Sequence, residues 1–413
     1  MNTELVHNIL PTNPGITLES RPQVSLLTIL LSYLQIGLTA FGFSIVQKQR
    51  IFVISKKWLS EEEVDEGMAL IQLYPGPMMA DFSAYVGYKI RGVPGALMAI
   101  IGFIAPAFVL MLVLSAIYFA SGSLPWVHPL FLGLEALIVG IILNVTLDFG
   151  ERALKNRSEA VIALAAFAAL LLKVNAVAII VVSLAAGAFL LAPRTGGNEE
   201  KEQTHSSVLA ISVSRLLAIL GIVLVVIAVA IYSWLLDSEV GRMGLSFYKI
   251  GAIAFGNGAT ILPLIQIEIV DLHHWLTPNE FADGIALGQI TPGSLLVVAA
   301  FAGYKLGGLG AAALMTFAMF APSFAMTLVF TEIFVRLRNL NPLRGAMKGV
   351  LASFVGLLAV VVLQLGKIGI SGPTTLILAG GAFVGTRYFK LDIIWIFIGG
   401  LLFWSGLLAL GLG

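Results

Sequence analysis

The feature that most constrains this chain is a proline-glycine pair set inside a long apolar stretch, and set there twice. Gln72-Leu73-Tyr74-Pro75-Gly76-Pro77 and Gln289-Ile290-Thr291-Pro292-Gly293-Ser294 share the order Gln-x-x-Pro-Gly, with Gln289 and Gly293 each 217 positions after Gln72 and Gly76. Proline removes a backbone donor and glycine relaxes φ, so a helix ends at each pair and another begins. In lipid the freed backbone groups must find partners. Such breaks are therefore confined to places surrounded by protein or by a water-filled cavity, where broken helices commonly line ligand sites.

The 413 residues are 58% hydrophobic and 11% charged, with a mean hydropathy of +0.97. The apolar residues fall in blocks long enough to cross a bilayer, which makes the chain an all-α polytopic membrane protein with the lipid bilayer as its first partner. With no cysteine, disulfides, thiolate metal sites and cysteine nucleophiles are excluded. The histidines, His7, His128, His205, His273 and His274, include no HExxH pair. No metal or cofactor is expected, and a net charge of +1 gives no reason to expect nucleic acid. Met1 to Ser20 lacks the basic and apolar regions of a cleaved signal peptide, so the N-terminus is expected to stay on the mature protein.

Conventional apolar spans can be drawn at about 24–46, 93–119, 129–148, 158–172, 174–192, 209–236, 244–265, 309–333, 349–366, 373–386 and 392–412. The interrupted segments 61–91 and 278–306 carry the Pro-Gly pairs. The expected organisation is a tail over 1–22, a first transmembrane repeat over 23–192, a hydrophilic linker over 193–208, a linker helix over 209–236 and a second repeat over 242–413. Several motifs recur. Ser32, Ile36-Gly37 and Ala40-Phe41-Gly42 answer Ser246, Ile250-Gly251 and Ala254-Phe255-Gly256. Trp58-Leu59-Ser60 with Glu63 answers Trp275-Leu276-Thr277 with Glu280, and each forms a capping box that starts a helix. Gly87-Tyr88-Lys89 answers Gly303-Tyr304-Lys305, Ala105-Pro106 answers Ala321-Pro322, and Gly140 answers Gly356.

Equivalent loops differ in charge. Loop 47–60 carries Lys48, Arg50, Lys56 and Lys57, whereas 266–276 carries Glu268 and Asp271. Loop 120–128 has no base, whereas 334–348 has Arg336, Arg338, Arg344 and Lys348. Because cytoplasmic loops gather Lys and Arg, equivalent loops face opposite sides, the mark of an inverted repeat. Two topologies satisfy this. Either all segments cross to give thirteen spans, or 24–46, 61–91 and their partners dip in and return, leaving nine.

Taken together, Phe-Gly near the first span, Trp-Leu-Ser/Thr-x-x-Glu, Gln-x-x-Pro-Gly, Gly-Tyr-Lys and an Ala-Pro helix, all present twice, with the Ala-Pro inside Phe-x-x-Pro in the first half, resemble the two-half form of the chromate ion transporter family. The resemblance covers nearly the full length. It implies a multi-pass inner-membrane carrier exporting chromate, an oxyanion close to sulfate. A homodimer is, separately, one expected assembly. The family commonly has Phe-Gly-Gly-Pro where this chain has Phe41-Gly42-Phe43-Ser44 and Phe255-Gly256-Asn257-Gly258, and its second Pro-Gly-Pro is here Pro292-Gly293-Ser294.

A dianion inside a membrane needs positive charge or oriented N–H donors, and a helix N-terminus supplies the latter. The helix restarting after Pro75 offers the amides of Gly76 and Met78, with Pro77 at an early position. In the second half Thr291 is expected as N-cap, Pro292 as N1, and Gly293 and Ser294 as amide and hydroxyl donors. Gln72 and Gln289 stand on the last turn before each break. Packing kinks are the plain alternative for both breaks. Gly42, Ser44, Gly256 and Asn257 form a second candidate ring, against ordinary helix packing. Lys249 is the candidate cation, against snorkelling to an interface. Glu135 and Asp81 are candidate coupling groups, because a charge inside a span costs about 2.5–3.5 kcal/mol on insertion scales. His273-His274 with Asp271 reads as an exposed loop rather than a metal site.

No P-loop indicates ATP use. The readings left by the residues are a secondary transporter of an oxyanion, an anion channel or carrier of another small anion on the same scaffold, and, last, a membrane-embedded enzyme, for which no nucleophile-base pair is visible.

Overall fold

A computed structural model of the protein describes residues 24–39, 44–121, 127–191, 213–236, 238–253, 255–256, 258–337 and 341–410. The expected tail, the hydrophilic linker, Gly42 and Asn257 lie outside them. The first half contains α1 (Leu26–Thr39), α2 (Ser44–Ser55), α3 (Glu61–Leu70), α4 (Met78–Ser121), α5 (Val127–Ala153), α6 (Arg157–Leu171) and α7 (Ala176–Leu190). A joining helix, α8 (Val213–Leu235), follows. The second half contains α9 (Glu239–Ile253), α10 (Leu262–Gln266), α11 (Pro278–Ile290), α12 (Val298–Leu337), α13 (Asn341–Gly369), α14 (Pro373–Arg387) and α15 (Ile393–Ala409). Among the described residues, five stretches are long and apolar enough to cross a membrane: Met78–Ala120, Pro129–Ala153, Val213–Leu235, Leu295–Ile333 and Arg344–Gly369.

Both capping boxes form. Ser60 Oγ accepts from the Glu63 amide at 3.2 Å while the Glu63 carboxylate accepts from the Ser60 amide at 3.1 Å. Thr277 and Glu280 make the same exchange at 3.2 and 2.7 Å. These reciprocal bonds satisfy amides that a helix start leaves open, and they start α3 and α11 at equivalent points.

The Pro-Gly segments are hairpins. Tyr85 Oη donates to the Glu63 carbonyl at 2.9 Å, and Lys89 pairs with Glu66 at 3.5 Å, so the start of α3 lies beside residues 85–89 of α4. Lys305 pairs with Glu280 at 2.6 Å, placing the start of α11 beside the equivalent part of α12. Each segment therefore runs in, turns at Pro-Gly and comes back to the end it left. A second reversal follows inside α4 at Arg91-Gly92 and inside α12 at Gly307-Gly308, where Gly92 and Gly308 take φ of 64° and 63°. Only glycine adopts this backbone without strain, and the long arms of α4 and α12 leave from there. The expected spans beginning at 93 and 309 are thus continuous, through these turns, with the returning arms of the hairpins.

The spans drawn at 24–46 and 244–265 are corrected. The first is two helices, α1 and α2, with Lys48 Nζ of α2 donating to the Thr39 carbonyl at the end of α1, 2.8 Å away. The second ends as α9 at Ile253 and continues through Phe255–Gly256, a 3-10 turn, α10 and a π-turn over Ile267–Leu272.

Contacts at the hairpin mouths fix the relation of the halves. Tyr88, at the mouth of the first hairpin, donates to Glu332 near the end of the long arm of α12. Tyr118, near the end of the long arm of α4, donates to Asp283 on α11 in the second hairpin at 2.6 Å. The long arm of α4 thus leaves the first hairpin's mouth and reaches the second hairpin from its outer side, so the two hairpins open in opposite directions. The halves also interlock: α5 packs against α14 and α15, while α13 packs against α6 and α7. Gly140 meets the backbone of Ala379 and Phe383, and Gly356 meets that of the equivalent Ala163 and Phe167. Small residues at such crossings let helices associate by van der Waals packing where lipid supplies no hydrophobic drive. Arg387 at the end of α14 pairs with Asp148 and Glu151 at the end of α5, closing one such seam.

Candidate anion-binding site

The first break runs from Ile71 to Pro77. Gly76–Pro77 forms a two-residue parallel bridge with Phe255–Gly256 of the other half, so the Pro-Gly and Phe-Gly motifs meet across the repeat boundary. This bridge partners part of the backbone that the break frees, as a low-dielectric interior requires. Helix α4 then restarts at Met78.

Beside this tip stands Asp81, fully buried. Its carboxyl lies against Gly76, so closely that a Cβ on Gly76 would collide with it and would come within 2.8 Å of Ser323 Cβ. Ser323 and Thr327 of α12, in the two turns after Pro322, face the same carboxyl. Their hydroxyls donate instead to the carbonyls of Phe320 at 3.1 Å and of Ser323 at 2.9 Å. Tyr74 Oη lies 2.8 Å from Thr327 Oγ1. Neither Asp81 oxygen has a hydrogen-bond partner in this arrangement, and rotation of either hydroxyl would supply one.

A cavity of about 470 Å³ lies against the same break. Gln72, Tyr74, Met78 and Met79 line it from the break, Gln47 from α2 and Arg152 from the end of α5. Arg152 supplies a permanent cation with a planar fork of donors, the geometry that suits an oxyanion. Nothing in the local sequence of Arg152 points towards the break, and packing of α5 brings it there.

The second break differs from the expectation. Thr291 is not an N-cap: it is the C-cap of α11, and its hydroxyl donates back to the Leu287 carbonyl at 2.7 Å. Pro292 accordingly is not N1. Gly293 takes φ +97°, and Ser294 caps a 3-10 turn over Leu295–Val297 that leads into α12. The Thr291 amide donates to the same Leu287 carbonyl at 3.1 Å, so both donors of Thr291 are held by the incoming helix and the next turn starts only after Ser294. Gly293 lies against Ala107, Phe103 and the Gly37 carbonyl.

The remaining expected residues are distributed unevenly. The Gln72 side chain reaches the cavity wall but donates to the Met68 carbonyl of its own helix at 2.9 Å. Gln289 is half-buried on the last turn of α11. Gly256 takes part in the bridge to Pro77, and Ser44 begins α2. Lys249 stands exposed on α9, whose buried face is Ser246, Phe247, Ile250 and Gly251, so it is turned away from the site. His274 Nδ1 lies 2.6 Å from the Val270 carbonyl and His273 stacks on Trp275, and among the described residues no cluster could hold a metal ion.

Glu135 is buried on α5 and faces Asp283 of α11, which is also buried and is bonded by Tyr118. Asp283 carries no distinct signal in the sequence, because it is the sixth residue of a helix whose first turn already holds an acid, Glu280.

Two halves carrying oppositely directed, broken helices around a buried polar tip define a polytopic membrane protein of inverted-repeat architecture. Comparison with known proteins gives the family. The profile described as Chromate transporter matches residues 27–189 and again 241–404, and the chain belongs to that family. It is 31% identical over 366 residues to an uncharacterized transporter of Methanocaldococcus jannaschii, covering 87% of this chain and 89% of that one. It is 28% identical over 370 residues to a chromate transport protein of Cupriavidus metallidurans, with 88% of each covered. A chromate transport protein of Pseudomonas aeruginosa is 28% identical over 393 residues, with 90% of each covered. No solved structure matches the chain.

Proposed function

We propose that the protein is a secondary transporter that exports chromate, or a similar tetrahedral dianion such as sulfate, across the inner membrane, binding it at the first Pro-Gly break. The observation that carries this reading is the cavity shared by the break and Arg152 in a chain of the chromate transporter family. The guanidinium would meet the anion at the mouth. The amides of Gly76 and Met78 and the hydroxyls of Tyr74, Ser323 and Thr327 would receive it deeper in, with the second break, Pro292 to Ser294, closing the site from the opposite side. Asp81 against Gly76 would repel a dianion while ionised, so anion occupancy requires its proton.

In this reading the segments 23–192 and 242–413 are the moving repeats, joined through the linker helix. Loop 47–60 and the loop after α5, which carry Lys48, Arg50, Lys56, Lys57, Lys155 and Arg157, face the cytoplasm in this reading. Alternating access is rocking of one half against the other about the fixed tips, and a homodimer would leave this unit intact.

The test is uptake of labelled chromate and of labelled sulfate into everted vesicles, with Gly76→Val as the blank. Uptake of chromate above the blank supports export. Uptake of neither, with correctly folded protein, overturns the substrate assignment. Anion flux that ignores an imposed proton gradient and runs only down its own favours a channel.

A further inference from the structure

A second polar site lies away from the Pro-Gly tips, and nothing in the anion reading uses it. Glu135 and Asp283 are 3% and 5% exposed, they come from opposite halves, and they face each other. Tyr118 Oη donates to Asp283 Oδ2 at 2.6 Å, while Glu135 Oε2 and Asp283 Oδ1 are buried without a hydrogen-bond partner. Around them α4 supplies Tyr118, and α11 supplies Glu280, whose carboxylate is engaged by Lys305 Nζ of α12 at 2.6 Å. Phe119 and Phe301 close the aromatic side around Tyr118, and α13 brings Gly369 against the backbone of Glu135. Among the described residues no cation touches either carboxyl. Two facing carboxylates in such surroundings cannot both stay ionised, and a proton shared between them also fills the open lone pairs.

We infer that Glu135 and Asp283, oriented by Tyr118, form a proton-binding site bridging the two halves, which takes up and releases one proton as the halves move. Its position supports the coupling role. The pair links α5 of the first half to the second hairpin, so relative motion of the halves changes the separation of the carboxyls and with it their hold on the shared proton. A sodium ion, which would need both carboxylates ionised, is the competing occupant. The inference rests on the transport reading for its coupling part, but not for proton binding itself.

Two measurements separate these parts. Infrared difference spectra of the purified full-length protein between acidic and alkaline buffer should show a protonated-carboxyl band that disappears in Glu135→Gln and in Asp283→Asn and persists in Asp81→Asn. Persistence of the whole band in the first two variants would overturn the site, whatever the protein transports. In liposomes with a trapped pH dye, wild type should move protons when labelled chromate moves, and both variants should lose that movement to the level of protein-free liposomes. Net chromate uptake by wild type without proton movement, or with a sodium requirement instead, overturns proton coupling. Absence of wild-type uptake overturns the transport reading and leaves the infrared result to decide the site.

Discussion

The two Pro-Gly tips occupy equivalent places in the two halves and are lined in opposite ways. Each tip rests on the turns that follow the proline of the other half's long helix, Pro322 for the first and Pro106 for the second. At the first tip the neighbours are Asp81, Ser323 and Thr327, together with Tyr74. At the second, the residues in the corresponding repeat positions are Val297, Ala107 and Met111, with Thr291 in place of Tyr74. Duplication thus preserved the backbone device and divided the chemistry: one tip is polar and borders a cavity with a cation, and the other, apart from Thr291 and Ser294 bonded within their own turns, is apolar and closely packed. A single dianion needs one desolvated polar cradle, and a second equal one would add buried polar groups with no ligand to satisfy them.

The largest expected effect is at the glycines. Gly76→Val should reduce chromate uptake to the vesicle background, because any Cβ there displaces Asp81 and Ser323. Gly293→Ala, strained at φ +97° by about 1–3 kcal/mol but with Ala107 at 3.1 Å as its one tight contact, should lower the amount of folded protein more than the uptake per molecule. Equal loss of specific uptake in both would erase the difference between the tips. Next, Arg152→Gln should weaken anion affinity by about 10- to 100-fold, the scale of a lost charge-assisted hydrogen bond of ~1.5–3 kcal/mol, as read from the concentration dependence of uptake. Exchanging linings gives a sharper contrast. Ser323→Ala with Thr327→Met should cripple uptake, while Ala107→Ser with Met111→Thr should leave it near wild type.

Asp81→Asn tests the same tip through pH. If the anion enters only when Asp81 carries its proton, wild-type uptake falls as pH rises through the titration of that carboxyl, and the asparagine variant is flat over the same range. An unchanged profile would make Asp81 structural. The smallest effects belong to the capping boxes, where Ser60→Ala and Thr277→Ala should each cost about 1 kcal/mol of stability, visible in thermal unfolding and absent from the substrate dependence of uptake.

Much of this was legible in the residues. The capping boxes, the Pro-Gly breaks and the duplication are local patterns, and local patterns survive folding because their partners lie within a few positions. Glu135 stood out for the same reason, as a lone acid in an apolar span. Asp283 and Arg152 did not, since each sits among other charged or terminal residues and acquires its role from a helix distant in the chain. Thr291 misled: a threonine before Pro-Gly suits an N-cap, yet its hydroxyl can equally bond the preceding turn, and the neighbours at the second tip favour that choice. Lys249 misled because a helix has two faces and the sequence near a Phe-Gly motif does not say which one is inside.

By itself the sequence determined a polytopic all-α membrane chain of two related halves, the places where its helices must start and break, and the family. Composition, capping and proline chemistry act over a few residues, and a bilayer leaves the backbone no other solution. Tertiary structure alone decided that the broken segments return as hairpins, that the halves interlock through α5 and α13, which tip is polar, and which acid faces Glu135. Those are matters of tertiary packing: the hairpins close on residues 22 and 25 positions apart, and the surroundings of the tip and of Glu135 are set by residues more than a hundred positions away.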